Sequence, residues 1–283
     1  MKKINNLTYK YIDVNGIQLH VAFAGSPKGV PVILLHGFPD ASFGWKHQIN
    51  ALSKKNFYVI APDQRGYNLS DKPKDKKKYM MDLLVHDIIT LANELNLDKF
   101  NLAGHDFGAI VSWNLVENYS HRVKKLVIFN GPQPTTMEKF LKENKKQRRK
   151  SWYAFFFKMK WFPEILLRSR NWRNLASNMK NSFSEKDLQE YKAAWSQPGA
   201  IKAMVNWYRC LFLQKSEDKP KRRIKIPTLI VWGKQDPHIM WELASESAAM
   251  CDNCEVKFIE DATHWVLQDD PENTSKFMIE HFS

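Results

Sequence analysis

The chain has 283 residues, of which 43% are hydrophobic, and its 43 Lys and Arg against 30 Asp and Glu give a formal charge of +13. This length and apolar content suffice for one large globular domain. Three cysteines exclude a disulfide framework, and the absence of an apolar run of 18 residues excludes a membrane span by sequence criteria.

Short apolar runs alternate with amphipathic stretches along most of the chain. Eight runs are strand-like, at residues 11–14, 19–24, 32–35, 58–61, 100–103, 126–129, 229–232 and 256–259. After a first hairpin, helical stretches such as residues 81–95 separate the runs. The pattern predicts an α/β fold with a mostly parallel eight-stranded sheet flanked by helices. Ligands bind such sheets beyond the carboxyl ends of the strands.

The third run leads directly into His-Gly-Phe-Pro-Asp at residues 36–40. Some folds carry a nucleophile at a tight turn between a strand and a helix. In these folds the loop after the third strand supplies one backbone N–H of an oxyanion hole. The residue that follows the nucleophile supplies the other. We therefore expect the amides of Phe38 and Phe107 to be the two donors.

The most informative stretch is Gly-His-Asp-Phe-Gly at residues 104–108, between a strand-like run and residues 107–119, which have helical periodicity. Such a strand–turn–helix elbow strains its central residue, and flanking glycines relieve the crowding. The central residue is Asp106, where a serine or cysteine nucleophile is usual. The motif alone is also compatible with an aspartate that caps a helix.

An aspartate nucleophile favours a particular bond. A serine that attacked a saturated carbon would leave an ether, which histidine and water cannot hydrolyse. A carboxylate instead displaces a leaving group from saturated carbon to form an alkyl ester, which water can cleave at the carbonyl of the aspartate. Asp106 therefore points towards epoxides or alkyl halides.

About ninety residues of helical, aromatic and basic sequence separate the sixth and seventh strand-like runs. Pro and Gly near residues 131–132 and 227 mark its ends. We therefore divide the chain into a core, residues 1–133 and 225–283, and a helical cap, residues 134–224, that covers an apolar pocket. The cap holds 22 Lys and Arg against 8 Asp and Glu, whereas the remainder holds 21 against 22.

Two basic runs in the cap, at residues 145–150 and 219–223, have more than one interpretation. Charged runs are usually solvated faces. The competing hypothesis is a surface-binding protein, whose basic cap and aromatic stretch after residue 150 make peripheral contact with an anionic membrane. No part of the sequence resembles a nucleic-acid-binding fold, so we expect no nucleic-acid partner.

The last two strand-like runs lead to the remaining catalytic candidates. Asp236 follows one of them, and His264 follows the other just before the C-terminal helix. Each residue alone also fits a purely structural role, Asp236 as a turn or cap residue and His264 as a loop histidine. Nucleophile, acid and histidine nevertheless occur in the chain order of an elbow hydrolase, which favours a triad of Asp106, Asp236 and His264.

Together these motifs resemble the epoxide hydrolases of the α/β-hydrolase fold over nearly the full chain. Further matching stretches lie at residues 63–67, 70–73, 151–153 and 206–209. The resemblance implies a cap inserted after the sixth strand, and cofactor-independent conversion of an epoxide to a vicinal diol. It also implies that Tyr153 and Tyr208 of the cap hydrogen-bond the epoxide oxygen, although both would also fit a core of aromatic residues.

Several secondary expectations accompany this resemblance. We expect further substrate-binding residues to be His36, Pro39, Trp152, Trp207 and Trp265. The substrate is expected to be a small hydrophobic epoxide, and the protein a cytoplasmic monomer or homodimer, because residues 1–6 are not followed by an apolar core of signal-peptide length. No metal is expected, since Cys251 and Cys254 lack a second pair of ligands.

Dehalogenation is the rival chemistry on the same scaffold. Haloalkane dehalogenases usually hold the departing halide with a tryptophan N–H after the nucleophile, and a second Trp or Asn near the His-Gly loop. This chain has Phe107 and Phe38 there. Haloacid-type relatives such as fluoroacetate dehalogenases place arginines after the nucleophile, and Phe107 and Ile110 provide none. Epoxide hydrolases more often have Trp where Phe107 stands, a difference that bears on substrate shape.

Overall fold

The computed structural model describes residues 7–211, 213 and 223–283. This part of the chain forms eight strands: β1 (Thr8–Val14), β2 (Ile17–Ala24), β3 (Val30–Leu35), β4 (Phe57–Pro62), β5 (Phe100–His105), β6 (Val123–Phe129), β7 (Thr228–Gly233) and β8 (Cys254–Ile259). They make one sheet in the order β1-β2-β4-β3-β5-β6-β7-β8. β2 pairs antiparallel with β1 and β4, and the other pairs are parallel. The predicted α/β-hydrolase architecture is confirmed.

The described helices are α1 (Lys46–Ser53), α2 (Met81–Glu94), α3 (Phe107–Tyr119), α4 (Pro134–Glu143), α5 (Lys145–Lys150), α6 (Trp152–Phe156), α7 (Phe162–Ser177), α8 (Glu185–Trp195), α9 (Ala200–Leu211), α10 (Glu242–Ala248), α11 (Val266–Asp269) and α12 (Pro271–Phe282). None of these helices is long and apolar enough to cross a membrane.

The central strands β3, β5 and β7 are buried on both faces, which explains their unbroken apolar runs. Val32 and Leu34 of β3 pack with α1, α11 and α12 on one face. Ile33 and Leu35 pack with α2, α3 and α10 on the other. Because side chains alternate along a strand, one run of four apolar residues serves both cores.

The helices α4 to α9 form an insertion between β6 and β7, which we call the helical insertion. α7 is interrupted where Ser169 has extended geometry and residues 170–172 have positive φ. A break separates the last two helices of the insertion, since α8 ends at Trp195 and α9 begins at Ala200.

Hydrogen bonds tie the helical insertion to the loops beyond the carboxyl ends of the strands. Trp195 Nε1 donates to Pro39 O at 2.6 Å, and the Tyr191 hydroxyl donates to Asp40 Oδ1 at 2.5 Å. Trp207 Nε1 donates to Arg65 O at 3.0 Å. The insertion therefore lies over the edge of the sheet where ligands are expected.

The structure describes the first basic run in full and the second only in part. Residues 145–150 form α5, which is mostly exposed except for the buried Gln147. Of the run at residues 219–223, only Arg223 falls within the described residues, where its guanidinium pairs with Asp252. Most of the second run lies outside the described part of the chain.

Candidate active site

Asp106 occupies the elbow between β5 and α3 with φ 52° and ψ −117°. A non-glycine residue with positive φ is strained, and such strain concentrates at functional sites. The elbow is crowded: a Cβ at Gly108 would lie 2.0 Å from the Leu35 carbonyl oxygen, and one at Gly104 would lie 2.4 Å from the Gly108 oxygen. These glycines let the helix approach the strands closely enough to raise Asp106 above the sheet.

The three predicted triad residues meet above the sheet. His264 Nδ1 lies 2.7 Å from Asp236 Oδ2, and His264 Nε2 lies 3.4 Å from Asp106 Oδ2. The Asp236 side chain is fully buried, whereas 12% of the Asp106 side chain is exposed. The imidazole thus connects a shielded carboxylate to a carboxylate that a ligand can reach.

Asp236 is held rigidly by donors that the sequence did not reveal. Asn130 Nδ2 donates to Asp236 Oδ2 at 2.8 Å, and the amides of His238 and Ile239 donate to Oδ1 at 2.7 and 3.0 Å. Asn130 directly follows β6, so its position at a strand end was the available signal. With four hydrogen bonds including that of His264, Asp236 is fixed as an ionised partner that orients the imidazole.

The charges of the triad stabilise one another. Burial by itself would raise the pKa of Asp236, but His264 and the other donors lower it to about 2. Burial would lower the pKa of His264, yet the carboxylates of Asp236 and Asp106 raise it to about 10. Burial is likewise outweighed at Asp106, whose pKa is lowered by His264. At neutral pH Asp106 is therefore an anion beside an imidazolium.

The predicted oxyanion donors flank Asp106. The Phe38 amide donates to Asp106 Oδ1 at 2.8 Å. Phe107 is the first residue of α3, so its N–H has no acceptor within the helix. Gly37 is required beside them, because a Cβ there would lie 2.4 Å from Asp106 Oδ1. One expected donor already contacts the carboxylate, and the other stands at the start of the helix that follows.

Tyr153 of α6 and Tyr208 of α9 face the elbow from the helical insertion. Their ring centroids are 6.0 Å apart, and the Tyr208 ring lies edge-on to Phe107 at 4.6 Å. Burial is the main cause that raises the pKa of both phenols above its ordinary value, and the charge of Asp106 adds to it. Both phenols therefore remain protonated hydrogen-bond donors at and well above neutral pH.

Two predicted tryptophans line the walls of the site. Trp207 packs edge-on against Phe107, with ring centroids 5.4 Å apart. Trp265 lies edge-on to His264 at 5.5 Å, and its Nε1 donates to Asn178 O at 2.9 Å. The indole nitrogens of both residues are engaged by protein carbonyls, so their contribution to a ligand would be apolar surface.

The other predicted contacts are placed differently. His36 is fully buried, with Nδ1 on Gly37 O and Nε2 accepting the Gln64 amide, each at 3.0 Å. Its imidazole therefore supports the loop, and Pro39 is buried beneath α8. The structure does not bring Trp152 to the site, because its indole is 62% exposed on the outer face of α6.

Two residues of α5 connect the helical insertion to the loop that carries Asp236. Lys150 Nζ donates to Asp236 O at 2.8 Å. Gln147 donates to His238 O at 3.0 Å and accepts the Met240 amide at 2.8 Å. Sequence reasoning treated this segment only as a charged run, and no local signal distinguishes Lys150 from the other lysines.

His238 is a further imidazole at the site that the sequence did not point to. Its ring lies edge-on to His264 at 5.4 Å and to Tyr153 at 5.4 Å. Burial and the positive charge of His264 lower its pKa to about 4, so it is neutral at physiological pH. Among the described residues, no group of three or more His, Cys, Asp or Glu side chains is arranged to hold a metal ion.

Comparison with known proteins gives a consistent set of relatives. A profile of the α/β-hydrolase fold matches residues 30–271. The chain is 37% identical over 277 residues to the AB hydrolase superfamily protein YfhM of Bacillus subtilis, covering 96% of each. It is 32% identical over 284 residues to epoxide hydrolase 2 of Caenorhabditis elegans, covering 97% of this chain and 80% of that protein. A crystal structure of Bacillus megaterium epoxide hydrolase with an inhibitor matches at a TM-score of 0.89 and 32% identity, covering 96% of this chain and 99% of that one.

Proposed function

The chain belongs to the epoxide hydrolase family of the α/β-hydrolase superfamily and is therefore a hydrolase, and we propose that it converts epoxides into vicinal diols through an ester on Asp106. One observation carries this proposal. The reachable carboxylate at the elbow stands 3.4 Å from an imidazole, and two protonated phenols pack beside that pair, Tyr208 against Phe107 and Tyr153 against His238. That set supplies a nucleophile for carbon, donors for the opening oxygen and a base for water.

The first half of the cycle uses Asp106 and the two tyrosines. Asp106 attacks the less hindered epoxide carbon while the bond from that carbon to the ring oxygen breaks. The oxygen takes a proton from Tyr153 or Tyr208, whose hydrogen bonds strengthen as negative charge develops. The product is a hydroxyalkyl ester of Asp106. Because the Asp106 pKa is lowered in the free enzyme, the nucleophile is ionised over the whole neutral range.

Ester formation prepares His264 for the second half. The negative charge of Asp106 disappears on alkylation, and with it one cause of the raised pKa of His264. The imidazolium returns a proton to the phenolate that ring opening leaves on Tyr153 or Tyr208. The neutral imidazole is then a base that accepts a proton from water while Asp236 stabilises the cation. The water attacks the Asp106 carbonyl carbon, and the amides of Phe38 and Phe107 stabilise the oxyanion. Collapse releases the diol and restores the carboxylate.

In this proposal the helical insertion acts as the cap of the enzyme. The core comprises residues 1–133 and 225–283, and the cap residues 134–224, part of which lies outside the described residues. α6 and α9 carry Tyr153 and Tyr208 to the core, and the Lys150 contact with Asp236 O joins the cap to the acid loop. Aromatic walls from Phe107 and Trp207 favour a hydrophobic epoxide.

A substrate panel tests the reaction class. Purified protein is incubated with aryl, alkyl and fatty-acid epoxides, and with chloroalkanes, bromoalkanes and a haloacetate, while diol and free halide are both measured. We expect diol from at least one class of epoxide and no halide. The side chains of Phe38 and Phe107 cannot donate a hydrogen bond to a departing halide. Halide release without diol would assign the site to dehalogenation instead.

Removal of the phenol donors is expected to slow ring opening. Tyr208→Phe or Tyr153→Phe should each lower kcat/KM by about 10- to 100-fold, and the double variant by about 10³-fold or more, because each loss removes a donor to the developing alkoxide. Tyr79→Phe is the matched control, since Tyr79 is also a buried tyrosine but its hydroxyl donates to Pro73 O. A double variant as active as that control would exclude the tyrosines from catalysis.

A further inference from the structure

The helical insertion exposes an unusual concentration of apolar side chains. Twelve large hydrophobic residues are exposed in the described part of the chain, and eight of them form what we call the apolar patch: Trp152, Phe155, Met159, Trp161, Phe162, Ile165, Leu166 and Leu213. Trp161 is 75% exposed and Ile165 is 66% exposed. Single exposed apolar residues are ordinary, but a contiguous group is typical of a surface that binds a membrane or another molecule.

Positive charge borders this patch. A groove beside Trp161 and Leu213 is lined by five lysines, which we call the basic rim: Lys74, Lys76, Lys158, Lys160 and Lys202. Two carboxylates also face the groove. Glu164 is paired with Arg209 at 2.6 Å, and Asp75 accepts the Lys77 amide at 2.9 Å. Positive charge therefore dominates the described lining of the groove, in line with the basic excess of residues 134–224.

We propose that the apolar patch and the basic rim form a docking surface for an anionic lipid membrane. Lysines at a membrane surface attract acidic headgroups, and a tryptophan places its apolar ring among the acyl chains with its N–H at the headgroups. Phe162, Ile165 and Leu166 add apolar surface next to Trp161 in α7. A lipid interface provides acyl chains for the apolar patch and acidic headgroups for the basic rim.

Two other occupants fit the same surface less well. A second copy related by two-fold symmetry would place each basic rim near its own counterpart, where like charges repel. A nucleic acid would neutralise the lysines but leave the aliphatic side chains of Ile165 and Leu166 in water. The combination of exposed aliphatic residues with lysines thus favours lipid.

The docking surface lies on the outer side of helices whose other residues serve the candidate active site. In α6, Trp152 is exposed while the adjacent Tyr153 packs against Tyr208 and His238. In α9, Lys202 and Arg209 reach the groove while Tyr208 packs against Phe107. Docking therefore uses residues other than the catalytic ones, and it does not depend on the reaction proposed above.

Vesicle co-sedimentation tests the proposal with the full-length protein. Sucrose-loaded vesicles of phosphatidylcholine alone are compared with vesicles that contain roughly one-quarter phosphatidylglycerol, at about 0.15 M salt. We expect most of the protein to sediment with the anionic vesicles and to remain in the supernatant with the neutral ones. Protein that stays in the supernatant with both overturns the proposal.

Paired variants separate the two parts of the surface. Lys160→Glu with Lys202→Glu should lower the partition coefficient at least about 20-fold, since each basic residue near an anionic surface contributes about fivefold. Trp161→Ser with Ile165→Ser should lower it to a similar extent. The matched controls are Lys10→Glu with Lys28→Glu, and Tyr9→Ser with Tyr11→Ser, at exposed positions outside the patch.

Each alternative occupant has its own readout. Thermal melts first establish that the variants fold as the wild type does. Equal losses in patch and control variants would show a nonspecific charge effect and overturn the docking surface. A dimer that the patch variants dissociate, without vesicle binding by the wild type, would assign the patch to a second copy. Binding to a fluorescent oligonucleotide but not to vesicles would assign it to nucleic acid.

Discussion

Replacement of Asp106 by asparagine is expected to lower kcat/KM for every epoxide substrate by at least about 10⁴-fold, the scale of loss when an enzyme nucleophile is removed. The two side chains have the same shape, and the strained elbow tolerates both, because Asn, like Asp, adopts positive φ more readily than most residues. The amide, however, is a poor nucleophile towards saturated carbon. Steady-state diol formation and a thermal melt measure activity and folding separately.

A second buried carboxylate provides the control. Asp87 of α2 is bound by the Arg65 guanidinium at 2.6 and 2.7 Å and takes no part in the proposed cycle. Asp87→Asn should lower stability through the weakened ion pair while retaining activity, the opposite pattern to Asp106→Asn. If Asp106→Asn forms diol at the wild-type rate, water attacks the epoxide directly and the ester pathway is excluded.

The sheet was largely predictable because its central strands are buried on both faces. Residues 32–35 and 229–232 give unbroken apolar runs, and both lie within observed strands. The prediction for β1 began three residues late, since Thr8, Tyr9 and Lys10 are exposed on an edge strand and carry no apolar pattern. Sequence periodicity also does not determine the order β4-β3-β5, which depends on how the crossover helices pack.

The candidate site likewise has residues whose approach could be predicted from the sequence and contacts that could not. Asp106, Asp236 and His264 lie beyond the carboxyl ends of β5, β7 and β8, so the topology brings them to one edge of the sheet and their approach could be predicted. Contacts made by the helical insertion were harder to predict from the sequence. Trp152 and Tyr153 are neighbours in one short helix, and only tertiary packing exposes one and brings the other against Tyr208 and His238.

Lys150 shows most clearly why local pattern was insufficient. In the sequence it is one of several lysines and arginines in a run that reads as a solvated face. In the structure its ammonium donates to the carbonyl oxygen of Asp236. The acid of the triad is thus held from the core by Asn130 and from the insertion by Lys150, an arrangement that depends on contacts 106 and 86 residues apart in the chain.

His264→Gln is expected to separate the two halves of the reaction. Asp106 keeps its carboxylate, so the ester should still form. No group then accepts the proton of the attacking water, and hydrolysis should slow by about 10³- to 10⁴-fold. Intact-protein mass spectrometry after mixing with an epoxide should show a single adduct equal to the full mass of the substrate, because ring opening expels no atom. Peptide mapping should place it on Asp106.

His238 is the control that makes this experiment decisive. It is a second imidazole beside both His264 and Tyr153, and its lowered pKa makes it neutral and chemically able to accept a proton. His264 Nδ1 lies 2.7 Å from Asp236 Oδ2, whereas the His238 ring makes no hydrogen bond to a carboxylate within the described part of the chain, so the cation that proton transfer would produce there is less stable. His238→Gln should therefore turn over without an accumulating ester.

An adduct that persists in His238→Gln and not in His264→Gln would transfer the role of base to His238. If neither variant accumulates ester while both lose activity, the imidazoles assist ring opening and no long-lived intermediate forms on Asp106.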